Sequence, residues 1–244
     1  MTRRSAIRLK ERIALVTGGG RGIGRQIALA LAAEGADVVV VARSQHELAP
    51  VADEITRMGR RALAIPTDVT DFSQVTACIS AAEETFRRVD ILVNNAAVVY
   101  IEPLIDTSLD HWRRTLDVNL TGAFLMTKAA MPGMVRRNEG RVINVSSSAG
   151  LEGVANFSAF CAAKFGVIGL TRALAKELED SAVTVNALCP ALVGTKRVGA
   201  KPTTAAPGRT KAQPLSDVAD VAAFLASDEA RAVTGAAIEV SWRT

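Results

Sequence analysis

The chain has 244 residues, 49% hydrophobic and only 4% aromatic, which predicts one α/β domain around an aliphatic core and excludes a disordered chain. Its 29 basic and 25 acidic side chains leave a net charge of +4, which suits an anionic cofactor or substrate and does not call for nucleic acid. Three cysteines (Cys78, Cys161, Cys189) at unrelated spacings form neither a disulfide framework nor a metal-ligand set, no 18 apolar residues run together, and the basic tail over 1–10 lacks the apolar core of a signal peptide, so a cytoplasmic protein with no membrane contact and no metal is expected.

Strand-like and helix-like segments alternate along the chain. A short apolar run over 13–16 stops at glycines and reads as a buried strand, and 23–33 has helical apolar spacing. Four consecutive valines within 37–42 favour a strand buried on both faces. A helix over 44–58 follows, with Ser44 as its N-cap and Gly59 as its stop. Further strands are expected over 62–65, 91–93, 142–145, 183–188 and 237–240, and helices over 72–87, 109–137, 157–179 and 217–226. The alternation predicts a doubly wound, mostly parallel sheet of the Rossmann type, with helices on both faces and right-handed crossovers. The segment 194–216 breaks the pattern: it holds Lys196, Arg197, Lys201, Arg209 and Lys211 and no acid, and reads as a substrate-side loop that suits an acidic substrate group.

Between the first strand and first helix lies Thr17-Gly18-Gly19-Gly20-Arg21-Gly22-Ile23-Gly24. Gly18, Gly22 and Gly24 give the backbone a sharp turn and a close approach to phosphate oxygens, where the helix N-terminus favours a pyrophosphate. The residues from Gly18 through Arg21, Gly22, Ile23 and Gly24 are therefore candidate cofactor contacts. An acid at the end of the second strand would bind the 2′-hydroxyl of NAD; the chain has Ala42-Arg43-Ser44 there, and Asp37 lies at the wrong end. Arg43 with Arg21 can grip a 2′-phosphate, so NADP is expected over NAD.

Ser147 lies thirteen residues before Phe160, and Lys164 lies one helical turn after it. With the glycine turn, these residues resemble the short-chain dehydrogenase/reductase family, in particular its 3-oxoacyl reductases, over about residues 11–240. The family's proton donor is the tyrosine of a Tyr-x-x-x-Lys pair, and here that position is Phe160. The resemblance implies a catalytic set of Asn119, Ser147 and Lys164 around the vacant position, with hydride transfer between a nicotinamide and a ketone or secondary alcohol. It further implies that Asp68 and Val69 line the adenine pocket, and that Asn95, Ala96, Lys164, Pro190, Ala191, Val193 and Thr195 serve the cofactor. Ala97 and Ala191 replace family glycines. The resemblance also implies a homotetramer or homodimer built on the helices over 109–137 and 157–179, and small-molecule, carrier-linked or coenzyme A-linked carbonyl substrates.

Phenylalanine cannot donate a proton, and general acid catalysis is worth roughly 10²–10⁴-fold, so impaired or altered turnover is expected. The related enoyl reductases place their tyrosine seven positions before the lysine, which is Phe157 here. Tyr100, the single tyrosine, is the candidate surrogate. His46, His111 and Cys161 are given no catalytic role. Three alternatives stay open: an NADP-binding partner or sensor without turnover, a non-redox catalyst on the same scaffold, and an engineered exchange of Tyr for Phe.

Overall fold

A computed structural model describes residues 7–191 and 214–241. In these residues seven parallel strands form one sheet: β1 (Ile13–Thr17), β2 (Asp37–Ala42), β3 (Ala62–Pro66), β4 (Ile91–Asn94), β5 (Gly140–Val145), β6 (Val183–Pro190) and β7 (Ala237–Val240). Their spatial order is β3-β2-β1-β4-β5-β6-β7. The strand order reverses between β1 and β4, which is where an open α/β sheet leaves a crevice beyond its strand ends.

Strand residues alternate between two cores, because successive side chains leave a strand on opposite faces. Val38 and Val40 join Ala14, Val16, Ile91 and Val93 on one face. There they meet Ile27 and Leu31 of α1 (Gly22–Ala33), Leu48 and Ile55 of α2 (Gln45–Arg57) and Leu225 of α7 (Leu215–Ala226). Val39 and Val41 join Leu15, Leu92 and Val142 on the other face, against Ile79 of α3 (Phe72–Phe86) and Met126 and Met134 of α5 (Gly122–Arg137). This two-sided burial accounts for the valine run, and each fully buried Val or Leu contributes about 1.5–3 kcal/mol.

Two expectations need correction. Ser44 holds the N-cap position of α2 with extended backbone, but its side chain makes no capping bond. The helix expected over 109–137 is interrupted: α4 (Leu109–Leu116) passes into a π-helical turn (Asp117–Thr121) before α5 begins. The apolar spacing runs through the interruption, so hydrophobic periodicity alone does not reveal the wider turn.

The helix α6 (Ser158–Glu177) is long and apolar enough to cross a membrane by length and composition, yet Ala163, Val167, Ile168 and Thr171 are buried. It packs on β5 and β6 as a core helix.

Charged groups close the N-terminal edge of the sheet. The carboxylate of Asp90 accepts from the amide of Ile13 at 2.9 Å and from Arg88 Nε at 2.9 Å. Arg12 pairs with Glu139, and Arg141 reaches Asp228 at 3.1 Å. The candidate site lies at the opposite, C-terminal edge.

Candidate active site

The glycine turn leaves β1 with Gly18 at φ +62° and Gly22 at φ +56°, conformations that glycine adopts without the penalty of a Cβ. A Cβ on Gly24 would lie 2.2 Å from the Gly18 carbonyl oxygen, so the first turn of α1 can close onto the strand only with glycine there. Gly19 donates its amide to the Val41 carbonyl at 3.1 Å, which ties the turn to β2. Arg21 is the N-cap residue of α1; it provides no side-chain cap, and the first helical turn carries no acid. An anion at this point meets amide donors and the positive end of the helix dipole. The residues present therefore fit a pyrophosphate.

Asn95 acts on the same turn from below. Its Nδ2 donates to the carbonyls of Thr17 (2.9 Å) and Gly18 (3.3 Å). The amides of Asn95 and Ala96 both donate to Thr17 Oγ1, at 2.9 and 3.1 Å. Asn95 thus fixes the glycine turn, a contact that its position in the sequence does not foretell.

Arg43 follows β2 directly and is exposed. Arg21 is also exposed, and its Nε lies 3.8 Å from Glu47 Oε1. Glu47 is a residue that the sequence reading missed. It sits in the first turn of α2, and a Cβ on Gly20 would lie 2.8 Å from its own Cβ. The available signal was an acid in the first turn of the helix that follows the arginine.

Asp68 Oδ1 accepts from the Thr70 amide (3.0 Å) and Thr70 Oγ1 (2.7 Å), and Oδ2 faces Arg114 at 3.5 Å. Burial opposes its charge, but the Thr70 bonds and Arg114 outweigh that effect and hold the carboxyl below the usual range. Val69 is buried, and a Cβ on Gly122 would lie 2.7 Å from Val69 Cγ2. Pro190 ends β6 in register with Val240, and the Ala191 amide donates to the Val240 carbonyl at 3.0 Å. Val193, Thr195 and the basic residues Lys196, Arg197, Lys201, Arg209 and Lys211 lie outside the described residues, as do residues 1–6 of the tail.

The chemical end is built on β5 and α6. Asn144 pairs with Asn94 across the strands, accepting from its Nδ2 at 2.9 Å and donating to Thr171 Oγ1 of α6 at 2.9 Å. Ser147 stands just beyond β5 with extended backbone, and its Oγ accepts from the Ala149 amide at 3.2 Å. Lys164 is 2% exposed and donates from Nζ to the Val145 carbonyl at 2.8 Å. Ser146 Oγ donates to the Lys164 carbonyl at 2.9 Å, so two bonds hold α6 against the end of β5.

Phe160 is buried one turn before Lys164 and meets Phe157 edge to face, with ring centroids 6.1 Å apart. Asn119 lies in the π-helical turn, a feature frequent at functional sites. Its Nδ2 donates to the carbonyls of Val98 (2.7 Å) and Thr115 (2.8 Å). Its Oδ1 is buried without a hydrogen-bond partner among the described residues, an acceptor available to a bound group.

Tyr100 occupies the segment after β4. Its ring stacks on His111 with centroids 3.8 Å apart and an interplanar angle of 7°. His111 Nδ1 lies 3.0 and 3.1 Å from the two carboxylate oxygens of Glu102. The three residues share a shallow cleft with Thr107, Thr115, Asn156, Ser158 and Ala159. His111 therefore stands beside the candidate surrogate. Residue spacing could not pair it with Glu102, because the contact joins a loop to a helix.

Cys161 is partly exposed, with its Sγ 4.0 Å from the Val154 carbonyl. Cys189 is buried, and burial pushes its thiol up to about 11. Among the described residues no cluster of three or more His, Cys, Asp or Glu could hold a metal.

Residues 12–206 match the short chain dehydrogenase family. The chain is 40% identical to a 3-oxoacyl-(acyl-carrier-protein) reductase of Synechocystis sp. over 238 residues, covering 95% of this chain and 96% of that protein. It is also 40% identical over 246 residues to trans-4-hydroxycyclohexanecarboxylate dehydrogenase of Sinomonas cyclohexanicum, covering 96% of this chain and 92% of the relative. Levodione reductase has a similar crystal structure, with a TM-score of 0.88 at 29% identity, covering 96% of this chain and 97% of that one.

Proposed function

The chain belongs to the short-chain dehydrogenase family, and from that premise we propose that it is an NADP(H)-dependent oxidoreductase that interconverts a ketone and a secondary alcohol without the phenol at position 160. The family and its oxidoreductase relatives imply a nicotinamide cofactor. The observation that carries the reading is the buried ammonium of Lys164, bonded to the end of β5 beside Ser147.

When bound, the nicotinamide supplies or takes up the hydride. The amides of Gly22, Ile23 and Gly24 hold the pyrophosphate, and Arg21 with Arg43 takes the 2′-phosphate. Asp68 and Val69 border the adenine; Ala96, Pro190 and Ala191 border the nicotinamide side, with Val193 and Thr195 beyond them. Lys164 anchors the ribose. Ser147 Oγ donates to the substrate oxygen, and Asn119 Oδ1 holds a water on the proton path. Proximity and oxyanion stabilisation remain without a phenol, while roughly 10²–10⁴-fold of general acid catalysis must come from another group or is lost.

The names of the relatives make a carrier-linked 3-oxoacyl group or a ring ketone the substrate classes to test first. Exposed Phe124 on α5 and Phe165 on α6 support a homo-oligomer built on those helices. Phe160 itself favours a second reading, an NADP-binding protein without turnover.

The test is consumption of NADPH and NADH over a panel of ketones and 3-oxoacyl thioesters, with the parent and Phe160→Tyr side by side. Turnover by the parent or by the tyrosine form, with NADPH preferred, supports the oxidoreductase. Cofactor binding with neither form turning over supports the second reading.

A further inference from the structure

A reductase with Phe160 needs a proton donor, and the cleft between the loop after β4, α4 and the start of α6 contains one. Its walls join the candidate site at two places. Thr115, whose carbonyl accepts from Asn119 Nδ2 at 2.8 Å, lines the cleft. So do Ser158 and Ala159, the residues that lead into Phe160. The Glu102 amide donates to the Asn156 carbonyl at 3.0 Å, which ties the loop after β4 to the segment before α6.

In this cleft Glu102 acts on one nitrogen of His111 and leaves the other for chemistry. A carboxylate only accepts, so with Glu102 ionised the hydrogen resides on Nδ1 of His111. Nε2 is then the basic nitrogen of the neutral ring and the free donor of the imidazolium. The stacked Tyr100 ring covers one face of the imidazole and limits its rotation. The His111 side chain is 42% exposed and that of Glu102 21%, so the ring is open to solvent while its partner is more shielded.

We propose that His111, oriented by Glu102 and stacked under Tyr100, is the proton donor that replaces the phenol missing at position 160. This inference rests on the oxidoreductase reading above. In reduction, the carbonyl carbon gains a hydride from the reduced nicotinamide, and the π pair of the C=O bond moves to oxygen. That oxygen takes the proton from Nε2 of the His111 imidazolium. The ring becomes neutral, keeps its Nδ1–H on Glu102, and regains a proton from water. In oxidation, Nε2 accepts the alcohol proton. Glu102 is a positioning residue, since it acts through His111.

The experiment measures NADPH oxidation with the ketone and thioester panel in the full chain, in the parent, His111→Gln, Phe160→Tyr and the double variant. The parent is expected to turn over, and His111→Gln to lower its kcat by about 10²-fold, the contribution of a general acid. The same exchange in the Phe160→Tyr background should cost at least tenfold less, because a phenol then supplies the proton. An equal loss in both backgrounds overturns the proposal by making His111 structural. A silent parent beside an active Phe160→Tyr overturns it and leaves the oxidoreductase reading standing; two silent proteins overturn both.

Tyr100→Phe keeps the stack and removes the hydroxyl. A loss as large as that of His111→Gln assigns the proton to Tyr100 and overturns the proposal. A readout independent of turnover is the ¹⁵N spectrum of the two histidines, with His46→Gln for assignment. His111 should carry its hydrogen on Nδ1 in the parent and shift toward the Nε2–H form in Glu102→Ala; an Nε2–H form in the parent overturns the pairing.

Discussion

The Nζ of Lys164 lies 5.4 Å from the centroid of the Phe160 ring, and the buried ammonium that would act on a phenol is in place beside a ring that has none. In Phe160→Tyr that charge should lower the new phenol from its ordinary value of about 10. Reduction uses the protonated phenol, so kcat falls as pH rises through the phenol pKa. In Phe160→Tyr with Lys164→Met, this alkaline limb should move to higher pH, and NADPH binding should weaken. The pH profile of kcat and a direct NADPH titration check the two effects separately. A limb that does not move means that Lys164 serves the fold or the cofactor alone.

Arg43 is exposed beyond β2, and Arg21 faces Glu47 across 3.8 Å. A guanidinium bond to a charged oxygen contributes roughly 1.5–3 kcal/mol, or about tenfold to a hundredfold in affinity. Arg43→Asp should therefore raise the Kd for NADP⁺ by at least about tenfold and tighten NAD⁺, since a carboxylate accepts from a 2′-hydroxyl and repels a phosphate. Calorimetric titration with both nucleotides checks this. Unchanged affinities for both would make Arg43 an ordinary surface charge.

A methyl group on Gly24 would meet the Gly18 carbonyl oxygen at 2.2 Å and Asn95 Nδ2 at 2.3 Å. The first is backbone, so the turn itself must shift. Gly24→Ala should lower stability by about 1–3 kcal/mol, the usual range for overpacking. It should also weaken NADP⁺ binding more than it changes the circular dichroism spectrum, because the lost geometry is local. Thermal melts with and without NADP⁺ provide the measurement. A variant that keeps both its melting temperature and its cofactor-induced shift would mean that the turn closes with room to spare.

The sheet was legible because its cause is local. Val38 to Val41 are all buried, on alternating faces, and nothing but a two-sided strand asks for four valines in a row. The glycine turn was legible for a similar reason, since Gly18 and Gly22 answer to backbone angles set within a few residues. What could not be read depends on contacts distant in sequence or on helix register. The π-helical turn around Asn119 hides inside an unbroken apolar pattern. The pairing of Glu102 with His111 exists only once the loop after β4 has folded over α4. Asn95 was placed at the cofactor, and its bonds to Thr17 and Gly18 join strand ends 77 and 78 residues apart.

Asp37 starts β2 and receives Arg60 Nη2 at 2.6 Å, Arg61 Nε at 2.7 Å and the Arg61 amide at 3.0 Å. Burial opposes its charge, and the arginines outweigh burial and lower its pKa in the folded state. Glu34 and Glu139 are lowered in the same direction, by hydrogen bonds from Arg8 and Arg12. A carboxyl whose folded pKa lies below its unfolded value stabilises the fold fully above the unfolded value of about 4, and that contribution is lost as pH falls through the folded pKa. Asp37→Asn should therefore cost about 1.5–3 kcal/mol at neutral pH, the range for hydrogen bonds to charged groups. The gap from the parent should hold down to about pH 5 and close only as pH falls below about 4 and through the folded pKa, where the parent's own carboxyl takes up its proton. Urea midpoints across this range test the sign as well as the size. A gap that stays constant to low pH would mean that Asp37 acts through shape and the Arg61 amide bond, with its charge contributing nothing.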